Sequence, residues 1–230
     1  MPNYLRLALL AGCLIAAPAY ADRPAVLPDT MAQRLLACTS CHAKKDVNDR
    51  YFPRISGKPA GYLYNQLLSF RDGRRTFPLM TYMVDHMSDD YLREISLHFA
   101  AEHLPSPPPQ ASDAGAAVLE RGRVLVMRGD PAIKVPACVA CHGRQLTGVA
   151  PGIPGLLGLP RDYVNAQLGA WRGKTRRAHA PDCMADIASR LTLPDVAAIS
   201  SWLGLQPVPP GARPEIASDR PLPLACGSAP

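Results

Sequence analysis

Two short segments of the sequence share a spacing of cysteine and histidine that allows one specific chemistry. Residues 38–42 read CTSCH, and residues 138–142 read CVACH. Two thiols separated by two residues lie on one helical turn, where they can form thioether bonds along one edge of a haem, and the following histidine can then bind the iron. The sequence therefore predicts two covalently bound haem c groups. The residues expected to hold them are Cys38, Cys41 and His42 for the first haem, and Cys138, Cys141 and His142 for the second.

Other chemistry for these cysteines fits the sequence less well. A zinc site needs four ligands in one place, whereas the two cysteine pairs are 100 residues apart and each has its own histidine. A redox-active dithiol of the thioredoxin type would lie in a βαβ pattern, which the sequence does not show. Aromatic residues make up only 6% of the chain. A porphyrin in each half would supply the large apolar core element that so few aromatic side chains cannot provide.

Both pentapeptides belong to a longer repeat. Residues 62–67 are echoed by residues 163–168, and the pairs Phe70-Arg71 and Arg74-Arg75 return as Trp171-Arg172 and Arg176-Arg177. The matches keep one order along the chain, at offsets of 98 to 104 residues. This pattern is typical of an internal duplication, here of a unit of roughly 80 to 90 residues.

Helical periodicity dominates both units, and no stretch alternates as a strand would, so we predict an all-α fold. Ser88 is the predicted N-cap of a helix that runs to Ala101. Thr192 is the predicted N-cap of a helix that runs to Leu203, with Pro194 in its first turn. Further predicted core positions are Met31, Leu35 and Leu36 within residues 30–38, and Val118, Leu119, Leu125 and Val126 within residues 114–127.

Changes of composition divide the chain into segments. Residues 1–21 have a basic start, an apolar run and a small-x-small end, which is typical of a signal peptide. Residues 28–104 and 114–206 are the two predicted haem domains, and the proline-rich linker of residues 105–113 should be extended between them. The tail, residues 207–230, contains seven prolines. We expect this tail to be mobile, with an ordered strap as the alternative.

The N-terminal leader predicts export. Cleavage after Ala21 would release the protein into the periplasm. As an alternative, residues 10–13 resemble a lipobox, which would attach a lipid to Cys13 and hold the protein at the membrane. The chain carries 25 Lys and Arg against 19 Asp and Glu. Because the basic residues are scattered, they do not predict nucleic-acid binding, and a mild positive charge favours docking to an acidic partner.

On these features the sequence resembles class I cytochromes c, and most closely the tandem di-haem cytochromes of the c4 type. The resemblance covers residues 28–104 and 113–206. It includes the two CxxCH motifs, the Pro-x-Ile-x-Gly segments at 53–57 and 151–155, and the Tyr-x-x-x-Gln-Leu helices. Each unit also has a methionine eight residues before a Ser or Thr helix cap. The resemblance implies two small cytochrome c domains in tandem.

The resemblance further implies that a methionine is the sixth iron ligand in each unit, and the matching residues are Met80 and Met184. Near Met80, the side chains of Met83 and His86 are alternative ligands, and Met87 is expected to be a core residue. Near Met184, the alternatives are His179 and a thiolate at Cys183. Cys183 is also a candidate disulfide partner of Cys226, since an exported protein can keep such a bond.

Repeated polar residues accompany the haem motifs. We expect two tyrosines and two glutamines to pack one helix of each unit against its haem: Tyr62, Gln66, Tyr163 and Gln167. Four arginines either pair with the haem carboxylates or are solvated: Arg71, Arg75, Arg172 and Arg177.

The resemblance implies an electron carrier rather than an enzyme, because two six-coordinate irons leave no open position for a substrate. Its expected partners are a quinol-oxidising complex or a dehydrogenase as donor and a terminal oxidase as acceptor, with peripheral contact at the membrane. A thiosulfate dehydrogenase or a di-haem peroxidase is the enzymatic alternative, and Cys183 is the residue that favours the former. An electron-transfer subunit of a membrane dehydrogenase is a third hypothesis, which a lipid on Cys13 would support.

Overall fold

A computed structural model describes residues 29–42, 52–217 and 221–229. The predicted signal peptide and Cys13 lie outside the described residues. No helix in the described part of the chain is long and apolar enough to span a membrane.

The described residues form two helical units in tandem. The first unit contains α1 (Met31–Arg34), α2 (Leu36–His42), α3 (Ala60–Arg71), α4 (Pro78–Val84) and α5 (Asp89–Ala101). The second unit contains α6 (Ala116–Met127), α7 (Val139–His142), α8 (Arg161–Arg172), α9 (Cys183–Arg190) and α10 (Leu193–Gly204). It also contains a 3-10 turn (Pro131–Ile133) and two short antiparallel strands, β1 (Gly148–Val149) and β2 (Ile153–Pro154). The predicted all-α fold is confirmed, and the sequence did not reveal the two-residue strands.

Each unit has its own hydrophobic core. In the first, α3 packs on α5 around Leu35, Leu63, Phe70, Leu92 and Phe99. In the second, α6 packs on α10 around Leu125, Val126, Leu168, Ile199 and Leu203. The α6–α10 contact is close because Gly122 has no side chain: a Cβ at this position would lie 2.1 Å from the Ala198 carbonyl oxygen.

The predicted helix caps of α5 and α10 are confirmed. The Ser88 hydroxyl accepts from the Tyr91 N–H at 3.3 Å, and α5 ends at Ala101. Thr192 forms a capping box with Asp195, in which the Thr192 hydroxyl accepts from the Asp195 N–H at 3.2 Å. These bonds satisfy amide groups that the first turn of a helix leaves unpaired.

Two predicted core positions are wrong. Leu36 is 56% exposed. The helix is interrupted at Leu35, so the residues before and after this interruption do not share one continuous helical face. Val118, in the first turn of α6, is 43% exposed.

The linker and the tail both lie against the second unit. The Gln110 N–H donates to the Gly204 carbonyl at 2.8 Å, and the Gln110 side chain accepts from the Arg161 N–H at 2.8 Å. In the tail, the Glu215 N–H donates to the Gly148 carbonyl of β1, and the Glu215 carbonyl accepts from the Ala150 N–H directly after β1, each at 2.8 Å. Of the two expectations for the tail, its described residues therefore form the ordered strap.

The two units meet along the helices that follow their haem motifs. The Tyr62 N–H, in the first turn of α3, donates to the Pro151 carbonyl of the second unit at 3.2 Å. The Thr76 N–H donates to the Thr175 carbonyl at 3.1 Å, and Arg75 and Arg176 form an antiparallel bridge beside this bond. The two halves of the repeat thus face each other through matching segments.

Candidate haem-binding sites

The two CxxCH motifs are folded as short helical segments. The first ends α2, and the second is α7 preceded by Cys138, whose carbonyl accepts from the His142 N–H at 2.8 Å. All four cysteines of the motifs are half-buried and form no disulfide: Cys38, Cys41, Cys138 and Cys141. A helical turn therefore places each pair on one side of a cavity, as attachment to one haem edge requires.

Both motif histidines are oriented by a backbone carbonyl. The Nδ1 of His42 lies 2.7 Å from the Pro53 carbonyl oxygen, and the Nδ1 of His142 lies 2.7 Å from that of Pro154. Because a carbonyl oxygen only accepts, Nδ1 carries the proton and Nε2 keeps a lone pair. Burial lowers the pKa of both imidazoles, which favours the neutral form that binds a metal. This arrangement is the usual second-sphere support of an iron-ligating histidine.

A cavity of about 500 Å³ lies beside the motif of the first unit, and residues of α8 and the segment after it also line it. Its lining is mainly apolar and includes His42, Met80, Met83 and Met87. Both Met80 and Met83 lie on α4, so either thioether can reach the cavity. His86 is not among the lining residues, and its side chain is 96% exposed, which leaves little support for it as a ligand.

The second unit has a cavity of about 180 Å³ that is lined by His142 and Met184. Cys183 also borders it, but its sulfur is bonded to that of Cys226, with a Cα–Cα distance of 5.0 Å. The disulfide that the sequence left open is therefore present, and Cys183 has no free thiolate. His179 is not among the lining residues.

Between the two cavities lie two arginines that contact both units. Arg75 donates to the Gln66 side chain at 3.0 Å and to the Gln167 side chain at 2.7 Å. Arg176 mirrors these bonds, donating to Gln167 at 2.7 Å and to Gln66 at 2.9 Å. The two tyrosines complete the cluster, since Tyr163 accepts from Arg75 at 3.0 Å and Tyr62 from Arg176 at 3.5 Å. The expected packing residues thus bind guanidinium groups across the boundary between units.

Of these two cations Arg176 is buried and Arg75 half-buried, and neither has a carboxylate partner among the described residues. Arg176 is 5% exposed and stacks 3.8 Å from the centre of the Trp171 ring, and Arg75 stacks 4.6 Å from that of Phe70. Burial, and then the neighbouring Arg75 cation, lower the pKa of Arg176. Lys58 lines both cavities as well, and burial lowers its pKa too. A buried cluster of cations is costly unless an anion joins it, so this region fits an acidic group.

The remaining arginines named from the sequence have other partners. Arg71 donates to the Met87 carbonyl at 3.0 Å, and Arg172 donates to the carbonyl of Leu191, which is the equivalent residue of the second unit. These bonds tie α3 and α8 to the segments before α5 and α10. Arg177 is exposed and donates to a backbone carbonyl at 3.4 Å.

Sequence reasoning missed Arg176, and the repeat contained the signal for it. An offset of 101 residues carries Tyr62, Gln66 and Arg75 onto Tyr163, Gln167 and Arg176 without a gap. Pairing the two Arg-Arg dipeptides as blocks shifted this register by one and selected Arg177. Lys58 has no cationic counterpart in the second unit, so the repeat gave no indication of its role.

The residues of both sites fit a haem. Each cavity combines apolar walls, a thiol pair, a neutral imidazole with a free Nε2 and a methionine, and unpaired cations lie where the carboxylates of a porphyrin would find partners. Two such sites in tandem helical units define a di-haem class I cytochrome c.

The comparisons agree with this class. The chain is 32% identical to the thiosulfate dehydrogenase electron acceptor of Thiomonas intermedia (strain K12), over 91% of this chain and 94% of that protein. It is 32% identical to cytochrome c4 of Pseudomonas aeruginosa, over 72% of this chain and 82% of that protein. The solved structure of reduced cytochrome c4 from Pseudomonas stutzeri matches with a TM-score of 0.64 at 26% identity, over 75% of this chain and 95% of that one. No protein-family model matches the chain.

The chain therefore belongs to the cytochrome c4 family of tandem di-haem cytochromes. Its cofactors are two covalently bound haem c groups, and it is an electron carrier of this type.

Proposed function

We propose that this cytochrome accepts electrons from a thiosulfate dehydrogenase in the periplasm and delivers them to a respiratory acceptor such as a terminal oxidase. The observation that carries the proposal is the similarity to an electron acceptor of thiosulfate dehydrogenase, which extends over 94% of that protein. Both haem motifs lie within the compared length. A quinol-oxidising complex is the alternative donor.

The proposed iron ligands are one histidine and one methionine for each haem. They are His42 and Met80 in the first unit, and His142 and Met184 in the second, with thioether bonds at Cys38, Cys41, Cys138 and Cys141. A haem iron held in this way supplies a one-electron couple, and a methionine ligand favours its reduced form and raises its potential. The protein itself orients each imidazole and excludes water from each apolar cavity. It also supplies the methionine sulfur, from α4 in the first unit and from α9 in the second.

We further propose that Arg75, Arg176 and Lys58 bind the haem carboxylates. All three are cations at the boundary between the units, and none has a carboxylate partner within the described residues. Charge pairing in a buried site is stronger than at the surface, so these contacts would stabilise both haems where the units meet.

The domain arrangement that goes with this function is the one expected from the sequence. Residues 28–104 and 114–206 form the two haem domains, residues 105–113 the linker and residues 207–230 the tail. Residues 1–21 direct export to the periplasm, where both the haem thioethers and the Cys183–Cys226 bond are compatible with the redox conditions.

The donor is tested with the purified ferric holoprotein. Mixing it with thiosulfate and a thiosulfate dehydrogenase should reduce both haems within the turnover time of the enzyme, as followed by their visible absorption. Two control mixtures, one without enzyme and one without thiosulfate, should stay oxidised. If the complete mixture is reduced no faster than the controls while a quinol-oxidising complex reduces the protein, the proposed donor is wrong.

The enzymatic alternative is tested in a separate assay with the same holoprotein. The holoprotein alone, with thiosulfate and an excess of an artificial electron acceptor, should show no turnover, because each iron has two protein ligands. Catalytic thiosulfate oxidation by the isolated protein would contradict the carrier proposal and favour an enzyme.

A further inference from the structure

The end of the tail forms an extended strap over the second cavity. Within residues 221–229, five residues line the cavity: Leu222, Leu224, Cys226, Ser228 and Ala229. Leu222, Leu224 and Cys226 are half-buried, whereas positions 221, 223 and 225 are exposed. This alternation of half-buried and exposed positions over residues 221–226 is typical of a strand-like segment that covers an apolar surface. The strap is therefore a wall of the second haem site.

The strap is joined to the loop before Met184 at three successive points. The Ser228 hydroxyl accepts from the His179 N–H at 3.1 Å, and the Gly227 N–H donates to the Pro181 carbonyl at 2.9 Å. The third point is the disulfide from Cys226 to Cys183, the residue next to Met184. The partners run in opposite directions along the chain, so the strap and the loop are paired antiparallel.

The contact is close at Gly227 in particular. A Cβ on this residue would lie 2.2 Å from the carbonyl oxygen of Ala180 and 2.8 Å from that of His179. Such distances leave no room for a side chain. The strap can therefore reach the loop only because residue 227 is a glycine.

The methionine segment of the first unit, α4, has no strap or cross-link among the described residues and is held to α3 by the Thr81 hydroxyl, which donates to the Phe70 carbonyl at 3.2 Å. No disulfide joins α4 to another described segment, and its N-cap residue, Phe77, makes no side-chain capping bond. In the second unit, Asp182 caps α9 by accepting from the Ala185 N–H at 3.0 Å, in addition to the strap. The two methionines thus differ in how firmly their segments are held, although they occupy equivalent places in the repeat.

We infer, on the proposed ligation of the second iron by Met184, that the strap is a positioning element of that site. Met184 lies at the start of α9, directly after the loop that the strap contacts, so α9 and the loop must shift for the segment to open and release the ligand. A covalent cross-link and a close backbone contact make that local opening rarer, because they restrict the open state and add contacts to the closed one. Met184 therefore stays on its iron longer than Met80 does, and the second haem is the one less open to external ligands.

Cyanide displacement from the ferric holoprotein measures this opening. The wild-type protein should bind cyanide in two phases, with the slow phase at the second haem. The double substitution C183S/C226S should accelerate the slow phase roughly tenfold or more and leave the fast phase unchanged. Replacing both cysteines avoids a free thiol next to the iron, and the unchanged fast phase shows that the first unit is intact.

A second variant keeps both cysteines. Gly227→Ala should accelerate the same phase, since the added methyl group cannot fit against Ala180. Gly169→Ala is the matched control, because Gly169 is exposed on α8 and a Cβ there meets nothing within 4 Å. If neither C183S/C226S nor Gly227→Ala changes the slow phase relative to Gly169→Ala, the strap does not position Met184.

The ligation itself is checked separately by Met184→Ala. This variant should lose about half of the sulfur-to-iron charge-transfer absorption of the ferric protein, since one of two methionine ligands is gone. If it retains the full absorption, the proposed ligand is wrong. If it loses half while the strap variants bind cyanide like wild type, only the inference about the strap is wrong.

Discussion

Arg75 and Arg176 meet across the boundary between the two units, and each donates hydrogen bonds to the same two glutamine side chains. The cluster is nearly symmetric, because it is built from residues at one common offset in the repeat. Its two positive charges lie between the haem cavities without a carboxylate from the described residues.

Removing one of these charges should lower the haem potentials. Arg176→Gln takes a buried cation away from both sites, and a nearby positive charge favours the reduced form of the iron, which carries one positive charge fewer. We expect the midpoint potential of at least one haem to fall by tens of millivolts in a spectroelectrochemical titration. Arg177→Gln is the control, because Arg177 is exposed. Equal titration curves for the two variants would show that Arg176 lies away from the haem charge.

Substitutions on α4 decide which methionine binds the first iron. Met80→Ala should remove about half of the sulfur-to-iron absorption of the ferric protein, whereas Met83→Ala should keep it, since Met80 is the counterpart of Met184 in the repeat. Both side chains line the cavity, so the two variants are matched for lost apolar contact. The reverse result would assign the ligand to Met83.

A methyl group between α6 and α10 should destabilise the second unit. In Gly122→Ala the new Cβ would lie 2.1 Å from the Ala198 carbonyl oxygen, so the helices must move apart. We expect a loss of about 1–3 kcal/mol in the free energy of unfolding, measured by denaturant titration of the holoprotein. Gly169→Ala should be neutral or slightly stabilising, because alanine is the better helix former at an open helical position. Equal losses in both variants would contradict the close packing at Gly122.

The cap of α10 should make the second unit sensitive to acid. Asp195 is an ion-pair partner of Arg121 at 2.8 Å. Burial alone would raise the pKa of this carboxyl. Its contacts with Arg121 and Thr192 lower the pKa by more than burial raises it, so the pKa lies below the ordinary value. A lowered pKa in the folded state means that the stabilisation is present above the ordinary carboxyl pKa of about 4 and is lost as the pH falls through the folded value.

Asp195→Asn should therefore reduce the free energy of unfolding at neutral pH by about 1–2 kcal/mol. The difference from wild type should shrink as the pH falls below about 4, because the wild-type carboxylate is then progressively protonated. Urea midpoints of both proteins across this range give the measurement. A difference that stays constant with pH would show that the charge of Asp195 contributes nothing.

Much of this structure depends on interactions between residues that are close in the sequence, and these could be predicted. The CxxCH spacing needs only one helical turn, and the Ser88 and Thr192 caps depend on hydrogen bonds to residues three positions away. Features that depend on distant partners were harder to predict. The break at Leu35 exposes Leu36 despite a regular apolar pattern, and Arg176 acquires its role only when the second unit packs against the first.

The position of the tail was also hard to predict from the sequence. Its prolines indicate an extended chain, but nothing local says where that chain lies. The pairing of Glu215 with β1 and the bond from Cys226 to Cys183 join segments about 40 to 70 residues apart. Such contacts are fixed by the whole fold, so a composition rule that treats proline-rich ends as mobile was misleading here.

The bond from the Tyr62 N–H to the Pro151 carbonyl has a consequence for biosynthesis. Amides in the first turn of a helix have no partner within the helix. At Tyr62, the partner comes from a residue that is synthesised 89 positions later. Until residue 151 has been synthesised, the Tyr62 amide lacks this partner, and the first unit gains the contact only when the second unit packs against it. The boundary between the two units is therefore one that only the full-length pair can form, however early the first unit folds.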